Sequence, residues 1–457
     1  MNILFVSLGC DKNTVDSEVM LHHLGVRGHR FTDEEEQAEA VIVNTCCFID
    51  AAKEESIAEI LRFAELKKQG AIRALIVTGC LAQRYREEII REIPEVDAVI
   101  GVTTFDGIAD VLDEVTAGQK QETRIRVGDA DAAAPVSEER TITTGGHYEF
   151  LKIAEGCDKH CTYCIIPKIR GHYRSVPMES LIREAESLAY AGVKELILVA
   201  QECTRYGEDL YGEKRLPKLL TELSRIEGLH WIRVLYCYPE EITDELIDVI
   251  ASEEKICHYL DLPIQSGSDR ILKRMGRRID REGIVRLVER VRARIPDVCL
   301  RTTLISGFPG ETAEDHRQTM ELVRDLRFDR LGVFCYSQEE GTPAAAFPDQ
   351  VAERVKKTRR TKLMKLQQEI SFDKNRALTG RIVEAVIEGR VTDRDDRDDA
   401  VYVARTMRDA PDVDGYLFIE QVDPSRELLT GTFVRVKITG AGEYDLTGEL
   451  YEDESAE

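Results

Sequence analysis

No apolar run in this 457-residue chain approaches the ~20 residues that a membrane-spanning helix needs, so a helical membrane protein is not expected. The amino terminus, MNILFVSLGCDKN, has no basic leader ahead of its apolar run and reads as a first strand rather than a signal peptide. Positive charge is short as well. There are 62 Lys and Arg against 85 Asp and Glu, a formal net charge of −23. A field of that sign repels nucleic acid and favours a basic partner. Cysteine, in contrast, is plentiful. Twelve cysteines without secretory features argue for a reducing compartment, expected here to be the cytoplasm, and for metal or redox use rather than disulfides.

Three of the twelve fall within eight residues: Cys157, Cys161 and Cys164, in GCDKHCTYC. A closed four-iron cube takes four thiolates. The C-x3-C-x2-C spacing supplies three, so one iron is left open to bind a substrate. The other reading is a zinc knot, with His160 or His172 as the fourth ligand.

The organisation around this loop is α/β. From residue 1 to about 105, apolar runs (Ile3–Leu8, Ala40–Asn44, Leu75–Thr78, Ala98–Ile100) alternate with amphipathic helical stretches, predicting a parallel sheet covered on both faces. Residues 1–116 form the expected first domain and 117–147, rich in Ala, Gly, Asp, Glu and Thr, a linker. Residues 148–372 repeat the rhythm with six strands: Phe150–Ala154, Glu195–Ala200, Trp231–Tyr236, Tyr259–Ile264, Cys299–Ser306 and Leu331–Tyr336. Six units predict a partial (β/α)6 barrel, whose chemistry belongs at the carboxyl ends of its strands. Residues 373–446 carry short β-rich runs (RIVEAVIEG, AVYVART, YLFIE, TFVRVKITG) between Gly, Asp and Pro turns, predicting a small β-barrel. Asp393–Asp399 reads as a solvated hairpin loop and 447–457 as an acidic, disordered tail.

In the first domain three strands end alike: Leu8-Gly9-Cys10, Asn44-Thr45-Cys46 and Thr78-Gly79-Cys80. Ligands bind at the carboxyl ends of such strands. An isolated cysteine is more often a small core residue than a ligand, but three at matched strand ends predict a second metal site on Cys10, Cys46 and Cys80. Cys47, next to Cys46, is the competing ligand. Cys203, Cys237, Cys257, Cys299 and Cys335 lack such spacing and read as buried small hydrophobes.

The cysteine loop resembles that of the radical S-adenosylmethionine (SAM) enzymes, and the whole chain resembles the radical SAM methylthiotransferases: a cluster domain, a partial barrel and a C-terminal TRAM domain in that order. Within the family, SLGCDKNTVDSE, NTCCFIDAAKEES, KIAEGCDKHCTYCIIPKIRGHYRS and FDRLGVFCYSQEEGTPA look like the RimO branch, which modifies an aspartate of the twelfth small-subunit ribosomal protein. The alternative is the MiaB-like branch, which modifies an adenosine beside the tRNA anticodon; the segment Ile264–Ser268 is closer to that branch. Over 376–449, ten Lys and Arg face sixteen Asp and Glu. An RNA grip needs cations, so this charge favours the protein-modifying branch.

The resemblance implies two 4Fe-4S clusters, one on Cys157, Cys161 and Cys164 and one on Cys10, Cys46 and Cys80. It implies SAM as both methyl donor and source of a 5′-deoxyadenosyl radical, which takes hydrogen from the β-carbon of the aspartate. Tyr163, Gln201, Glu202, Gly307 and Gly310, on loops after the strands, are the residues expected to contact SAM; no catalytic side chain is expected beyond the cluster ligands. The implied partners are the ribosomal protein or the small ribosomal subunit, and an electron donor such as flavodoxin or ferredoxin. Nothing in the sequence demands more than a monomer.

Overall fold

A computed structural model describes residues 1–117, 125–132, 139–391, 400–422 and 427–452. The first domain is a six-stranded sheet, parallel throughout, ordered Arg30–Phe31, Asn2–Ser7, Ala40–Thr45, Ala74–Gly79, Ala98–Ile100, Ile125–Arg126. Its two central strands are buried along their whole length, which is why they read as unbroken apolar runs. Successive side chains still alternate between faces. Val41, Val43, Leu75 and Val77 pack with Ile60 and Phe63 on one side. Ala40, Ile42 and Ile76 pack with Val19, Met20 and Leu112 on the other.

The segment expected to be a linker is partly built into the fold. Ile125–Arg126 supplies the last strand of the sheet. Arg140 is buried among Glu18, Glu149 and Glu184, at 3.4, 3.2 and 3.4 Å. Polar composition hid this, because the contacts are ionic rather than apolar.

The central domain has the six expected parallel strands, in two groups of three. Trp231–Val234, Glu195–Val199 and Tyr148–Lys152 form one group; Tyr259–Asp261, Cys299–Ser306 and Arg330–Cys335 form the other. A single bridge, Ile232 to Ile256, continues the ladder between the two groups. Several strands end before the sequence pattern suggested, because their last apolar residues turn into the loops at the barrel mouth. Helix Glu353–Arg376 packs on the last strand and crosses the expected domain boundary at 372.

The third domain is a closed barrel of five strands: Ile382–Arg390, Ala400–Thr406, Leu417–Val422, Leu446–Leu450 and Phe433–Ala441. The last of them in chain order, Leu446–Leu450, lies where the sequence suggested the start of a tail. The expected loop at Asp393–Asp399 and the final residues of that tail lie outside the described residues.

This barrel docks on the amino ends of the central strands. Tyr148 donates to Asp412 at 3.0 Å and Tyr259 to Asp414 at 2.6 Å. Glu195 pairs with Arg405 at 2.6 Å, and Arg330 pairs with Asp409. The first domain sits instead on the carboxyl ends. The small barrel and the cysteine-bearing domain therefore occupy opposite ends of the central barrel.

Candidate active site

Cys10, Cys46 and Cys80 are delivered to one sheet edge by register. Ser7 pairs with Asn44, and Asn44 with Thr78, so the residues after these strands emerge together. Gly9 and Gly79 make the exits possible. Both have left-handed φ, +104° and +92°. A Cβ on Gly9 would stand 2.8 Å from Cys46 Cβ and 3.2 Å from its Sγ, and one on Gly79 would stand 2.5 Å from the Thr45 carbonyl. Only glycine accepts that backbone at that spacing. The Asn13 amide binds the three ends together, donating to Leu8 O at 2.9 Å and Thr45 O at 3.0 Å and accepting from Cys80 Sγ at 3.9 Å.

The Cys80 thiol is met from the other domain. Arg170, 1% exposed, donates from Nε to Cys80 Sγ at 3.3 Å. Its remaining nitrogens reach Asn13 Oδ1 at 2.5 Å, and Asp16 and Glu155 at 2.9 Å each. Glu155 also takes a hydrogen bond from Gln201 at 2.8 Å and pairs with Lys152 at 3.2 Å. One polar network thus runs from the first domain's cysteines to the loop after the second barrel strand.

The loop bearing Cys157, Cys161 and Cys164 follows the first barrel strand. Cys157 and Cys161 are buried and Cys164 is half-buried. Cys157 N donates to Gly171 O at 3.1 Å and Thr162 N to Met275 O at 2.9 Å, fixing both flanks. Lys159, inside the loop, is shared between Glu202 at 3.3 Å and Glu241. Neither candidate zinc histidine turns inward: His172 is exposed and bonded to Asp158 at 2.9 Å, and His160 is exposed.

Burial raises the Cys157 thiol to about 11, and pushes Cys80 and Cys164 higher still. Cys257 and Cys299, far from both triads in sequence, rise to about 12 for the same reason. The shift therefore reports burial and does not pick out ligands. Among the described residues, no three His, Cys, Asp or Glu side chains converge tightly enough for a single metal ion. A four-iron cube asks for something looser, because each thiolate binds a different iron. Cys46 and Cys47 are both buried, Cys46 against Gly9 and Cys47 within the apolar side layer with Phe63. Cys203, Cys237 and the Cys257/Cys299 pair are buried as expected, whereas Cys335, near the end of the outer strand, is only half-buried.

The residues expected around SAM meet varied surroundings. Tyr163 packs edge-on to Phe308, ring centroids 6.5 Å apart. Gln201 lends its amide to Glu155, and its Oε1 is buried without a protein partner. Glu202 is fully buried against Lys159 and Thr204. Gly307 and Gly310 have φ of +73° and +79°; a Cβ would run into Lys356 at the first and Asp349 at the second. Their own neighbours thus suffice to demand glycine. The loop Gln265–Ser268 faces helix Ala313–Leu326, with Ser268 donating to Asp315 at 2.6 Å and Gly267 N to Thr319 at 3.0 Å. That packing accounts for its small residues.

Three patterns match the chain in order: Uncharacterized protein family UPF0004 over residues 2–101, the Radical SAM superfamily over 151–323 and the TRAM domain over 379–450. The chain is similar to a protein named ribosomal protein uS12 methylthiotransferase RimO from Lachnoclostridium phytofermentans, 57% identical over 98% of this chain and 99% of that one. Proteins of the same name from Acetivibrio thermocellus and Geobacter sulfurreducens are 49% and 48% identical, each match covering 98% of both chains.

The chain belongs to the RimO methylthiotransferase family.

Among solved structures, the radical SAM methyltransferase TsrM from Kitasatospora setae, with tryptophan and a SAM analogue bound, has a TM-score of 0.53 and 15% identity, covering 87% of this chain and 79% of that one. That likeness shows the fold alone.

Within this RimO family member the side chains that the sequence did not point to are Lys12, Asn13, Glu155 and Arg170. Asn13 and Arg170 are 157 positions apart and meet only through the docking of two domains. No spacing signal exists for such a pair. The donor set suits what a radical SAM enzyme holds. Each triad offers three soft sulfurs, and buried amide oxygens of Gln201 and Gln265 and the Nε and Nη1 of Arg277 stand without protein partners on loops of the mouth. Such polar atoms are costly to bury unless something meets them.

Proposed function

We propose that this protein methylthiolates the β-carbon of an aspartate in ribosomal protein uS12. The carrying observation is the 57% identity, across 98% of the chain, to a protein of that name. In this reading Cys157, Cys161 and Cys164 hold a 4Fe-4S cluster with SAM on its open iron, and Cys10, Cys46 and Cys80 hold a second cluster. When bound, clusters and SAM supply an electron, a carbon radical strong enough for an unactivated C–H bond, and a methylated sulfur to transfer.

The chain's own part is placement and exclusion of water. Asn13 and Arg170 fix the second triad over the barrel mouth. Lys159, held between Glu202 and Glu241, stiffens the first cysteine loop. Gln201 presents a buried oxygen suited to an ammonium donor. The acidic surface suits a Lys- and Arg-rich ribosomal protein. A carrier such as flavodoxin or ferredoxin delivers the electron, and the enzyme works in the cytoplasm as a monomer.

Two measurements test this reading. In a strain lacking the gene, mass spectrometry should find uS12 without its methylthio group while tRNA modification persists; loss from tRNA instead would refute it. Replacing Cys10, Cys46 and Cys80 together by Ala should leave about half of the iron and acid-labile sulfide of the anaerobically reconstituted protein. Unchanged iron would dismiss the second cluster.

A further inference from the structure

The target proposed above carries its own charge. The carboxylate of an aspartate is one bond from the β-carbon. That carbon must be reached both from the Cys157, Cys161 and Cys164 side and from the Cys10, Cys46 and Cys80 side. The carboxylate is therefore confined to the interval between the triads, among side chains that are themselves buried, Lys12, Lys152, Lys159 and Arg170. A buried carboxylate without a cation is strongly disfavoured, so the interval must supply one.

The buried lysines and Arg170 there can be compared by what already occupies them. Lys152 is shared by two carboxylates, Asp16 and Glu155. Lys159 is shared by two, Glu202 and Glu241. Arg170 is filled by Asp16, Glu155, Asn13 and Cys80. Lys12 differs. It is 6% exposed and has a single carboxylate, Asp11, at 2.8 Å. Its ammonium stands 3.4 Å from the centre of the Tyr236 ring, and the Tyr236 hydroxyl donates to Asp11 at 3.2 Å. An ammonium has three donors; Asp11 takes one and Tyr236 a second, which leaves one.

Position makes the vacancy meaningful. Lys12 is two residues after Cys10, yet its head reaches Tyr236, just beyond the third barrel strand. Its side chain therefore spans from one triad's domain to the mouth of the other's. Arg277 also has spare nitrogens, but it lies over the Tyr238 ring and pairs with Glu240, on the side of the first cysteine loop.

We propose that Lys12 is the carboxylate anchor of the substrate site, holding the side chain of the target aspartate as its second carboxylate partner and so selecting aspartate over its neutral isostere. This rests on the uS12 reading above. Tyr236 backs the ammonium from the ring side, and Asp11 keeps it oriented.

The test is binding, read by fluorescence anisotropy under anaerobic conditions. The probes are a labelled uS12 peptide with the target aspartate and the same peptide with Asn in its place. Reconstituted wild-type protein should prefer the Asp peptide by tenfold or more. In Lys12→Gln that preference should collapse to within twofold, through weaker binding of the Asp peptide alone; Lys12→Arg should keep most of it. Iron and sulfide counts check the neighbouring cluster, and repeating the titration on cluster-free wild type and variants removes metal loss as a cause. A Lys12→Gln protein that still prefers Asp overturns the proposal, as does a wild type that binds both peptides equally. A wild type that binds neither refutes the uS12 reading itself.

Discussion

Gly79 and Gly70 share a left-handed backbone, with φ of +92° and +77°, but not a neighbourhood. A Cβ on Gly70 meets nothing within 4 Å, whereas one on Gly79 collides with Asn44 and Thr45. Ala at Gly70 should cost about 1 kcal/mol of backbone strain. Ala at Gly79 adds overpacking of a buried strand end and should cost about 2–5 kcal/mol. Thermal melts of the two variants check this; equal midpoints would mean that the strand exit relaxes freely. At this scale legibility is uneven. The candidate cysteines could be found because three share a loop and three share a strand-end pattern. Arg170 could not, since an arginine in IPKIRGHYR looks like any solvated loop residue until Cys80 is placed 3.3 Å from it.

Whole elements were easier to foresee than their ends. Apolar runs set between helical stretches marked the six strands of the central barrel. That pattern missed the closing strand Leu446–Leu450, whose sequence LTGEL has two apolar residues and a glycine. Gly448 is there because a Cβ would stand 2.5 Å from Val436 and 2.9 Å from the Lys437 carbonyl. That strand joins Leu417–Val422 to Phe433–Ala441, so ending the chain after Asp445 should open the barrel. Ending it after Glu452 should not. Hydrogen exchange in Leu417–Val422 separates the two, protection being lost only in the shorter chain. The clamp on the first cysteine loop makes a second element-scale prediction. Burial works to raise the Glu241 carboxyl, but Lys159 and Lys214 outweigh it and hold it at about 2. A depressed folded-state value stabilises the fold above the unfolded carboxyl's ordinary range near 4.5. That contribution is lost as pH falls from there towards 2. The gap in melting temperature between wild type and Glu241→Gln should accordingly be widest above pH 5 and close near pH 2; a gap constant with pH would exclude the linkage.

Across the whole molecule, the small barrel and the cysteine domain are held to opposite ends of the central barrel by buried charge. Glu195, 1% exposed, receives Arg233 at 2.7 Å and Arg405 at 2.6 Å. Removing one partner of a buried pair costs about 3–5 kcal/mol, far more than the pair's net worth. Arg405→Ala should therefore loosen the C-terminal barrel, and adding Glu195→Gln should recover part of the loss. Limited proteolysis near residue 377 reports both; equal cleavage in wild type and Arg405→Ala would show that apolar packing alone holds the domain. This arrangement was invisible in sequence because none of the charges lies near its partner along the chain.

The two cysteine triads also pose different problems to a chain being synthesised. Cys157, Cys161 and Cys164 come off the ribosome within eight residues and can be clasped as soon as their loop exists. Cys10, Cys46 and Cys80 have no common location until three strands have paired in register, and Cys80 acquires its arginine only when the central domain has docked. Contacts that distant in sequence form late. If both triads take up clusters as proposed, the machinery that delivers iron and sulfide meets two different sites in one polypeptide: a short peptide ready early, and a finished surface with a brief opening before it is covered.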